Sequence, residues 1–487
     1  MKSDQRIFFD ISALLNHIKN TNHYTGIQRV VSMIISEMSI IHDTSSLFLS
    51  YIDQNDGKQK CICVSDIGSN TIRSSALMQA MFFQQGQIDT TKKILKKYSK
   101  NPLKLKYYKF RLDVMAALGH DRSFRRFGID SSDWKRIRKQ PNLSQKIESL
   151  NVSPLRSKMR KGDALVLLDS TWDAKYFDTF SQAKKLGCHV YTLVHDLIPI
   201  RTPEMTPGVL PVVFEKWISS SPDFTNTYLT VSHATKKDLE SYLSERGLSF
   251  DIHVLSLAQD RFLDQDPSSN TALLNTPDAM GAQSDPDAML RANLKTIVQL
   301  PHETREALSS PYALCVGTRE PRKNIWRLVL AWKHLVDTGA HDLPRLVIAG
   351  KESVMIDAVK NVLEATGNIY GYVSVLDSPT EEELACLYEN CQFLVMPSLF
   401  EGWGLPVGEA LSYGKTAVVS NTSSLPEVGG NFVEYCDPSS ISSIADAVQN
   451  LTDLERRKSL EERIRNGSLR TWHDVAISLQ KITSDTS

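Results

Sequence analysis

The chain has 487 residues, 41% of them apolar, with 23 glycines and 20 prolines, an ordinary globular composition long enough for two or three domains and a large buried core. Its 56 Lys and Arg balance 56 Asp and Glu, and a formal net charge of zero argues against general nucleic-acid binding. Seven cysteines, Cys61, Cys63, Cys188, Cys315, Cys386, Cys391 and Cys436, are an odd number at no metal-ligand spacing, and several lie inside apolar runs, which points to a reducing cytoplasm.

The amino terminus, MKSDQRIFFDIS, sets Asp4 and Asp10 around an apolar stretch too short for a signal peptide, and no uninterrupted apolar run reaches the length of a membrane span. Any contact with a membrane is therefore expected from one side. RIFFDIS is the first strand candidate. Gly26, in NHYTGIQRVV, precedes an amphipathic helix in which Val30, Val31, Ile34, Ile35 and Met38 keep helical spacing. Over 162–262 the strand candidates ALVLLDS, HVYTLVH, TYLTVS and IHVLSL alternate with helical stretches, a pattern that builds a parallel sheet covered by helices. These segments define a first domain over 1–262. His195 and Asp196 end HVYTLVH, and Ser232 is placed to cap the helix that begins at His233.

A long insertion at about 68–160 interrupts this domain. Between Lys92 and Lys139 sixteen Lys or Arg face four Asp, an excess of twelve, so the rest of the chain carries minus twelve. Ile94, Leu95, Tyr98, Leu105, Tyr107, Tyr108, Phe110, Phe124, Phe127 and Trp134 are interleaved with the cations. Such a surface suits anionic lipid headgroups, where each nearby cation adds about 1 kcal/mol. It also suits a solvated helical insertion with a folded apolar side. Nucleic acid is disfavoured because no recognised binding module accompanies the charge.

From 263 to 310 the composition turns to Asp, Ser, Asn, Pro and Ala, as in QDPSSNTALLNTPDAMGAQSDPDAM, and reads as a partly mobile linker. A second domain over 311–487 repeats the alternation. Its strands are YALCVGT, RLVIAG, FLVMPS and TAVVSN, with helices beginning near Asn324, Thr380, Leu405 and Leu425. Two doubly wound halves, each with a ligand edge at the carboxyl ends of its strands, would enclose a cleft between them.

Two stretches of the second half carry chemistry. In SLFEGWGLPVGEALSYGKTAVVSN, residues 398–421, Glu401 lies in the loop leaving FLVMPS and Glu409 in the following helix, with Gly402 and Gly404 between them and Pro406 in the first helical turn. The glycines would let backbone approach a ligand, the helix start would face an anion, and each carboxylate can accept from paired hydroxyls. Glutamates that merely cap and charge a helix start are the plain alternative. In YALCVGTREPRKNIWRLVLAW, residues 312–332, Arg319, Arg322 and Lys323 lie at the carboxyl end of the first strand of the same half, where cations suit a diphosphate.

Together, Glu401-x7-Glu409, VGTREPRKN, NHYTGIQRVV, LVHDLIP and LTVSHAT resemble the glycosyltransferase family 4 enzymes of GT-B fold, and among them the bacterial mannosyl- and related transferases of surface-polysaccharide assembly. The resemblance spans both halves but neither the insertion nor the linker. It implies an α/β chain of two Rossmann-like domains facing across a cleft, with a basic helical insertion in the first, the second holding a nucleotide-sugar. It further implies a catalytic set of His195, Glu401, Lys323 and Arg319. The donor-binding set would be Gly26, Gly317, Thr318, Arg322, Tyr372, Val373, Gly402, Trp403, Gly404, Leu405 and Glu409. Glu401 would meet hydroxyls of the donor sugar, Glu409 the ribose, the backbone at Tyr372 and Val373 the base, and Gly26 the phosphates from across the cleft. Many members carry arginine directly after the glycine of the cation loop, where this chain has Thr318 and then Arg319.

The family retains anomeric configuration, and no third carboxylate in these motifs is placed as a covalent nucleophile. The resemblance therefore implies front-face attack by an acceptor hydroxyl, with Lys323 and Arg319 stabilising the departing phosphate and no metal or other cofactor required. Expected partners are a nucleotide-sugar, with GDP-mannose favoured, a saccharide or lipid-linked saccharide acceptor, and an anionic membrane surface through 92–139, at the inner face of the cytoplasmic membrane. Two rivals share the architecture: a nucleotide-sugar 2-epimerase, which needs no acceptor, and a non-catalytic scaffold of a polysaccharide-assembly complex. The final helix, in RTWHDVAISLQKI, is amphipathic and placed to pack back on the first half.

Overall fold

The structure, a computed structural model, describes residues 5–19, 21, 23–53, 56–83, 102–117, 151–261, 300–353 and 357–485. The first lobe is built on an eight-stranded sheet ordered β4-β3-β2-β1-β5-β6-β7-β8. Its strands are β1 (Ile7–Asp10), β2 (Leu47–Ile52), β3 (Gln59–Cys63), β4 (Ser153–Pro154), β5 (Ala164–Leu167), β6 (His189–Val194), β7 (Thr227–Thr230) and β8 (Asp251–Val254). Pairing from β2 through β1, β5, β6 and β7 to β8 is parallel, as apolar runs buried on both faces require. The edge departs from the all-parallel expectation, because β2 pairs antiparallel with β3 and β3 with β4.

Helices α1 (Ser12–Ile18) and α2 (Gly26–Ile41) follow β1. In α2 the apolar positions Val30, Val31, Ile34, Ile35 and Met38 are all buried. Short helices Ser69–Arg73 and Ser75–Phe83 place Ile72, Met78 and Met81 in the same core. The insertion thus begins later than about 68, because 69–83 belongs to the body of the lobe. Within it, the structure describes α3 (Pro102–Ala117), which buries Leu112 and Ala116. The rest of the basic block, residue 262 and 263–299 of the expected linker lie outside the described residues. Further on are α4 (Leu210–Phe224) and α5 (His233–Ser244), whose cap is Ser232 as expected, its side chain accepting from the Thr235 N–H.

The second lobe carries a six-stranded parallel sheet ordered β11-β10-β9-β12-β13-β14. Its strands are β9 (Tyr312–Val316), β10 (Arg345–Ala349), β11 (Val373–Leu376), β12 (Phe393–Met396), β13 (Ala417–Ser420) and β14 (Glu434–Cys436). Helices α6 (Ile325–Asp337), α7 (Glu381–Asn390), α8 (Leu405–Ser412) and α9 (Leu425–Gly429) begin where the sequence places them. Thr380 closes a capping box with Glu383. The lobe starts before 310, because helix His302–Ala307 buries Thr304 and Ala307 and Thr304 hydrogen-bonds Glu383.

One apolar cluster contains residues of both sheets, together with Leu255, Leu257 and Ala258 from the segment after β8. The last helix, α10 (Trp472–Asp485), adds Trp472, Val475 and Leu479 to it and lies against α2 of the first lobe. The two lobes are therefore packed against each other over a shared core, with the carboxyl ends of both sheets turned toward one seam.

Candidate active site

In the second sheet the strand order reverses between β9 and β12, which are neighbours although two strands separate them in sequence. At such a switch point the loops after the two strands diverge and leave a crevice. Here they are the 317–323 and 397–404 loops, which leave the same edge, tied by the Leu399 N–H donating to the Arg322 carbonyl at 2.8 Å. Asn324 takes the left-handed conformation at φ 60°, and its side chain donates to the carbonyls of Pro397 at 2.9 Å and Pro438 at 2.7 Å. The asparagine of VGTREPRKN thereby fixes the short 3-10 turn Pro321–Lys323 that carries both cations.

The result is a compact cluster. Glu401 accepts from Arg322 Nη1 through Oε2 and from Lys323 Nζ through Oε1, both at 2.7 Å. Arg322 also pairs with Glu320 at 2.6 Å. Burial alone would raise the Glu401 carboxyl, but the Arg322 and Lys323 charges outweigh it and hold it down at about 2. Burial would likewise lower the Arg322 guanidinium, yet Glu401, Glu320 and Asp196 hold it above its ordinary value. Lys323 lies over Gly317, whose φ of 137° leaves space that a Cβ would close to 3.3 Å from Lys323 Cε.

Asp196 belongs to the first lobe, so the cluster is shared across the seam. Burial raises its carboxyl and the Arg322 charge partly offsets this. Its neighbour His195 follows the end of β6 and donates from Nε2 to the Leu168 carbonyl at 2.8 Å. Burial pushes the imidazole down to about 4, so the ring is neutral at physiological pH and Nδ1 is left as an acceptor. On the same edge, burial pushes Asp10 up to about 7 and Asp169 up to about 6, against hydrogen bonds from Ser12 and Ser170. Gly26 opens α2 and stands opposite Leu405, where a Cβ would meet Leu405 Cδ1 at 3.8 Å. The amino-terminal ends of α2 and α8 thus meet across the seam.

Several expected site residues do something else. Arg319 is apart from the Glu401 cluster: its Nη2 donates to Asp377 at 2.6 Å, and its backbone bridges to Glu352. Gly402 gives room to protein rather than to a ligand, because a Cβ there would stand 2.2 Å from the His195 carbonyl oxygen. Gly404, at φ 108°, is likewise confined, because a Cβ there would stand 2.7 Å from Leu425 Cδ2. Trp403 is buried and donates from Nε1 to the Ala258 carbonyl at 3.2 Å, which makes it part of the joint between the lobes. Val373 starts β11 and Tyr372 precedes it, at the end of the sheet remote from the crevice; the end near it is Leu376, paired with Ala349. Thr318 is exposed in the turn and Leu405 partly so. Glu409 sits beyond the opening turn of α8, buried, with Oε2 accepting from the Tyr388 hydroxyl at 2.7 Å.

The sequence reading missed five contributors. Gly350 at the end of β10 has the Gly317 carbonyl oxygen 2.1 Å from where its Cβ would be, and its place at the end of RLVIAG was the only signal. Tyr388 and Glu381 in α7 reach the Glu409 region, and Arg29, inside the quoted TGIQRV, crosses to them from the first lobe. Glu427 of α9 also crosses, accepting from the N–H groups of His233 at 2.7 Å and Ala234 at 2.8 Å at the start of α5. Among the described residues no group of three or more His, Cys, Asp or Glu is placed to hold a metal ion.

Comparison with known proteins agrees with this arrangement. Residues 299–469 match the family described as Glycosyl transferases group 1. The chain is 38% identical over 143 residues to O-antigen chain mannosyltransferase B of Escherichia coli, covering 29% of this chain and 37% of that protein. It is 24% identical over 326 residues to the serotype-specific mannosyltransferase WbdA of Escherichia coli, covering 66% and 37%. The chain thus spans little more than a third of the length of these relatives. Among solved structures, HepE of Anabaena in complex with UDP superposes with a TM-score of 0.54 at 11% identity, covering 99% of this chain and 100% of that one. Residues 299–469 are a glycosyl transferases group 1 domain, and the chain around them has the GT-B fold of two facing α/β lobes.

Proposed function

We propose that this chain is a retaining glycosyltransferase that moves mannose from GDP-mannose to a saccharide or lipid-linked saccharide acceptor in bacterial surface-polysaccharide assembly. The observation that carries this reading is Glu401 bridging Arg322 and Lys323 at the switch point of the second sheet, with Asp196 and His195 of the first lobe beside it. A diphosphate entering there would share the two cations with Glu401 and leave carboxylate lone pairs for hydroxyls of the donor sugar. Lys323 and Arg322, with Arg322 in the place first given to Arg319, would stabilise the charge that grows on the departing phosphate, so the step needs no metal. Neutral His195 offers Nδ1 to a sugar hydroxyl, and Glu409 accepts from the ribose. Mannose and O-antigen assembly are supported by the names of the Escherichia coli relatives, and the guanine carrier follows the family resemblance.

The acceptor side is proposed to work at the inner face of the cytoplasmic membrane. On α3, Tyr107 and Phe110 are 61% and 66% exposed, with Lys106 and Arg111 exposed among them, a combination suited to anionic headgroups. Among the described residues no helix is long and apolar enough to cross a membrane.

The test is transfer from a panel of GDP-, UDP- and dTDP-sugars in excess EDTA, with and without a mannose-terminated acceptor. Sugar transfer, with nucleoside diphosphate released only when acceptor is supplied, is expected. Failure to transfer from every donor would defeat the reading, and acceptor-independent turnover would favour the epimerase. Sedimentation with anionic vesicles at low and high salt checks the membrane surface, and indifference to lipid charge would remove it.

A further inference from the structure

The two motif glutamates are held in different ways. Both oxygens of Glu401 are bound by cations of its own lobe. Glu409 has one oxygen held by each lobe: Oε2 accepts from Tyr388 of α7, and Oε1 pairs at 3.3 Å with Nη1 of Arg29, in the opening turn of α2. The other terminal nitrogen of Arg29 pairs with Glu381, the first residue of α7, so one guanidinium spans two carboxylates of the opposite lobe. Pairing with Glu381 anchors the fork, and a side chain 16% exposed keeps it largely shielded from water.

The Tyr388 side of Glu409 is rigid. Tyr388 is buried and stacks on Tyr413 with centroids 5.5 Å apart and planes 5° from parallel. Burial and the Glu409 charge push its phenol well above the ordinary value, so it remains a donor. Tyr388 alone fixes one oxygen and leaves the carboxylate free to turn about it. A second bond from a planar, anchored guanidinium fixes the plane, and with it the direction of the lone pairs that remain.

We infer that Arg29 is a specificity-determining positioning residue: from the first lobe it sets the plane in which Glu409 accepts from ribose hydroxyls, so discrimination of ribonucleotides depends on both lobes. The inference rests on the proposed contact between Glu409 and the ribose. It separates the donor into two parts, a diphosphate and sugar read by the second lobe's own cluster and a ribose read only when α2 is docked.

The experiment measures binding of GDP and 2′,3′-dideoxy-GDP by calorimetry, with UDP and its dideoxy analogue as a parallel pair. Loss of hydrogen bonds to a carboxylate should weaken wild-type binding about tenfold or more. In Glu409→Gln and in Arg29→Met, which keeps much of the packed stem, that ratio should fall to within about threefold of unity while diphosphate binding persists, and Arg29→Lys should recover part of it. Thermal unfolding checks that each variant is folded. A role confined to packing would lower affinity for both members of a pair and leave their ratio alone. Should Glu409→Gln lose the ratio while Arg29→Met and Arg29→Lys keep it in full, the role of Arg29 is overturned and the donor reading stands. Wild type that binds neither GDP nor UDP overturns the donor reading and this inference with it.

Discussion

Replacing Glu401 by glutamine removes a carboxylate that both Arg322 and Lys323 contact, and it does so almost without changing shape. Glu401 is 6% exposed, and its carboxyl lies at about 2 against an ordinary 4.5. That difference corresponds to about 3 kcal/mol of stability at neutral pH. Independent experience with buried ion pairs that lose one partner gives about 3–5 kcal/mol, and because Arg322 keeps Glu320 the lower end applies here. The folded-state value is depressed, so the contribution is complete above 4.5 and is lost as pH falls toward 2, with about half gone near pH 3. Urea unfolding of wild type and Glu401→Gln at pH 7 and at steps below pH 4.5 measures the gap between them. A gap near 3 kcal/mol that narrows on acidification is expected. Variants of equal stability at pH 7, or a gap that stays constant down to pH 3, would refute the idea that this carboxylate is held ionised by the two cations.

Lys323→Ala should lower turnover about a hundredfold or more, whereas Arg319→Ala, which removes a partner of Asp377, should cost less than about tenfold in steady-state kinetics. Gly402→Ala would set a methyl 2.2 Å from the His195 carbonyl oxygen, so a melting curve should show about 1–3 kcal/mol of lost stability, with turnover reduced as the lobes are pushed apart. Glu427→Ala deletes two charge-assisted bonds to the start of α5, and hydrogen exchange should show the His233 and Ala234 amides deprotected by about 1.5–3 kcal/mol. Unchanged exchange at those amides would count against a clasp between the lobes.

Much of the site could be read before any fold was known. The two loops that carry Lys323 and Glu401 follow strands with plain apolar runs, and parallel strands of a doubly wound sheet put such loops on one edge. Ser232 as a cap and Pro406 in a first helical turn are local chemistry, settled within a few residues. The choice between Arg319 and Arg322 was not local. It depends on the left-handed Asn324 and its bonds to Pro397 and Pro438, which turn the 3-10 segment so that Arg322 rather than Arg319 meets Glu401. Tyr372 was misplaced because the strand that follows it, Val373–Leu376, was not among the strand candidates, so nothing marked Leu376 rather than Tyr372 as the end that faces the crevice.

The order of apolar runs, turns and caps along this chain determined two doubly wound sheets and the loops that bear charge, because those preferences act over a few residues. Tertiary structure alone decided what lies opposite those loops. Gly402 is small for the carbonyl of a residue more than two hundred positions away, and Arg29 reaches Glu409 only because α2 docks on the second lobe. Contacts of that kind form where two packed bodies meet, and nothing in the spacing of either segment encodes their distance.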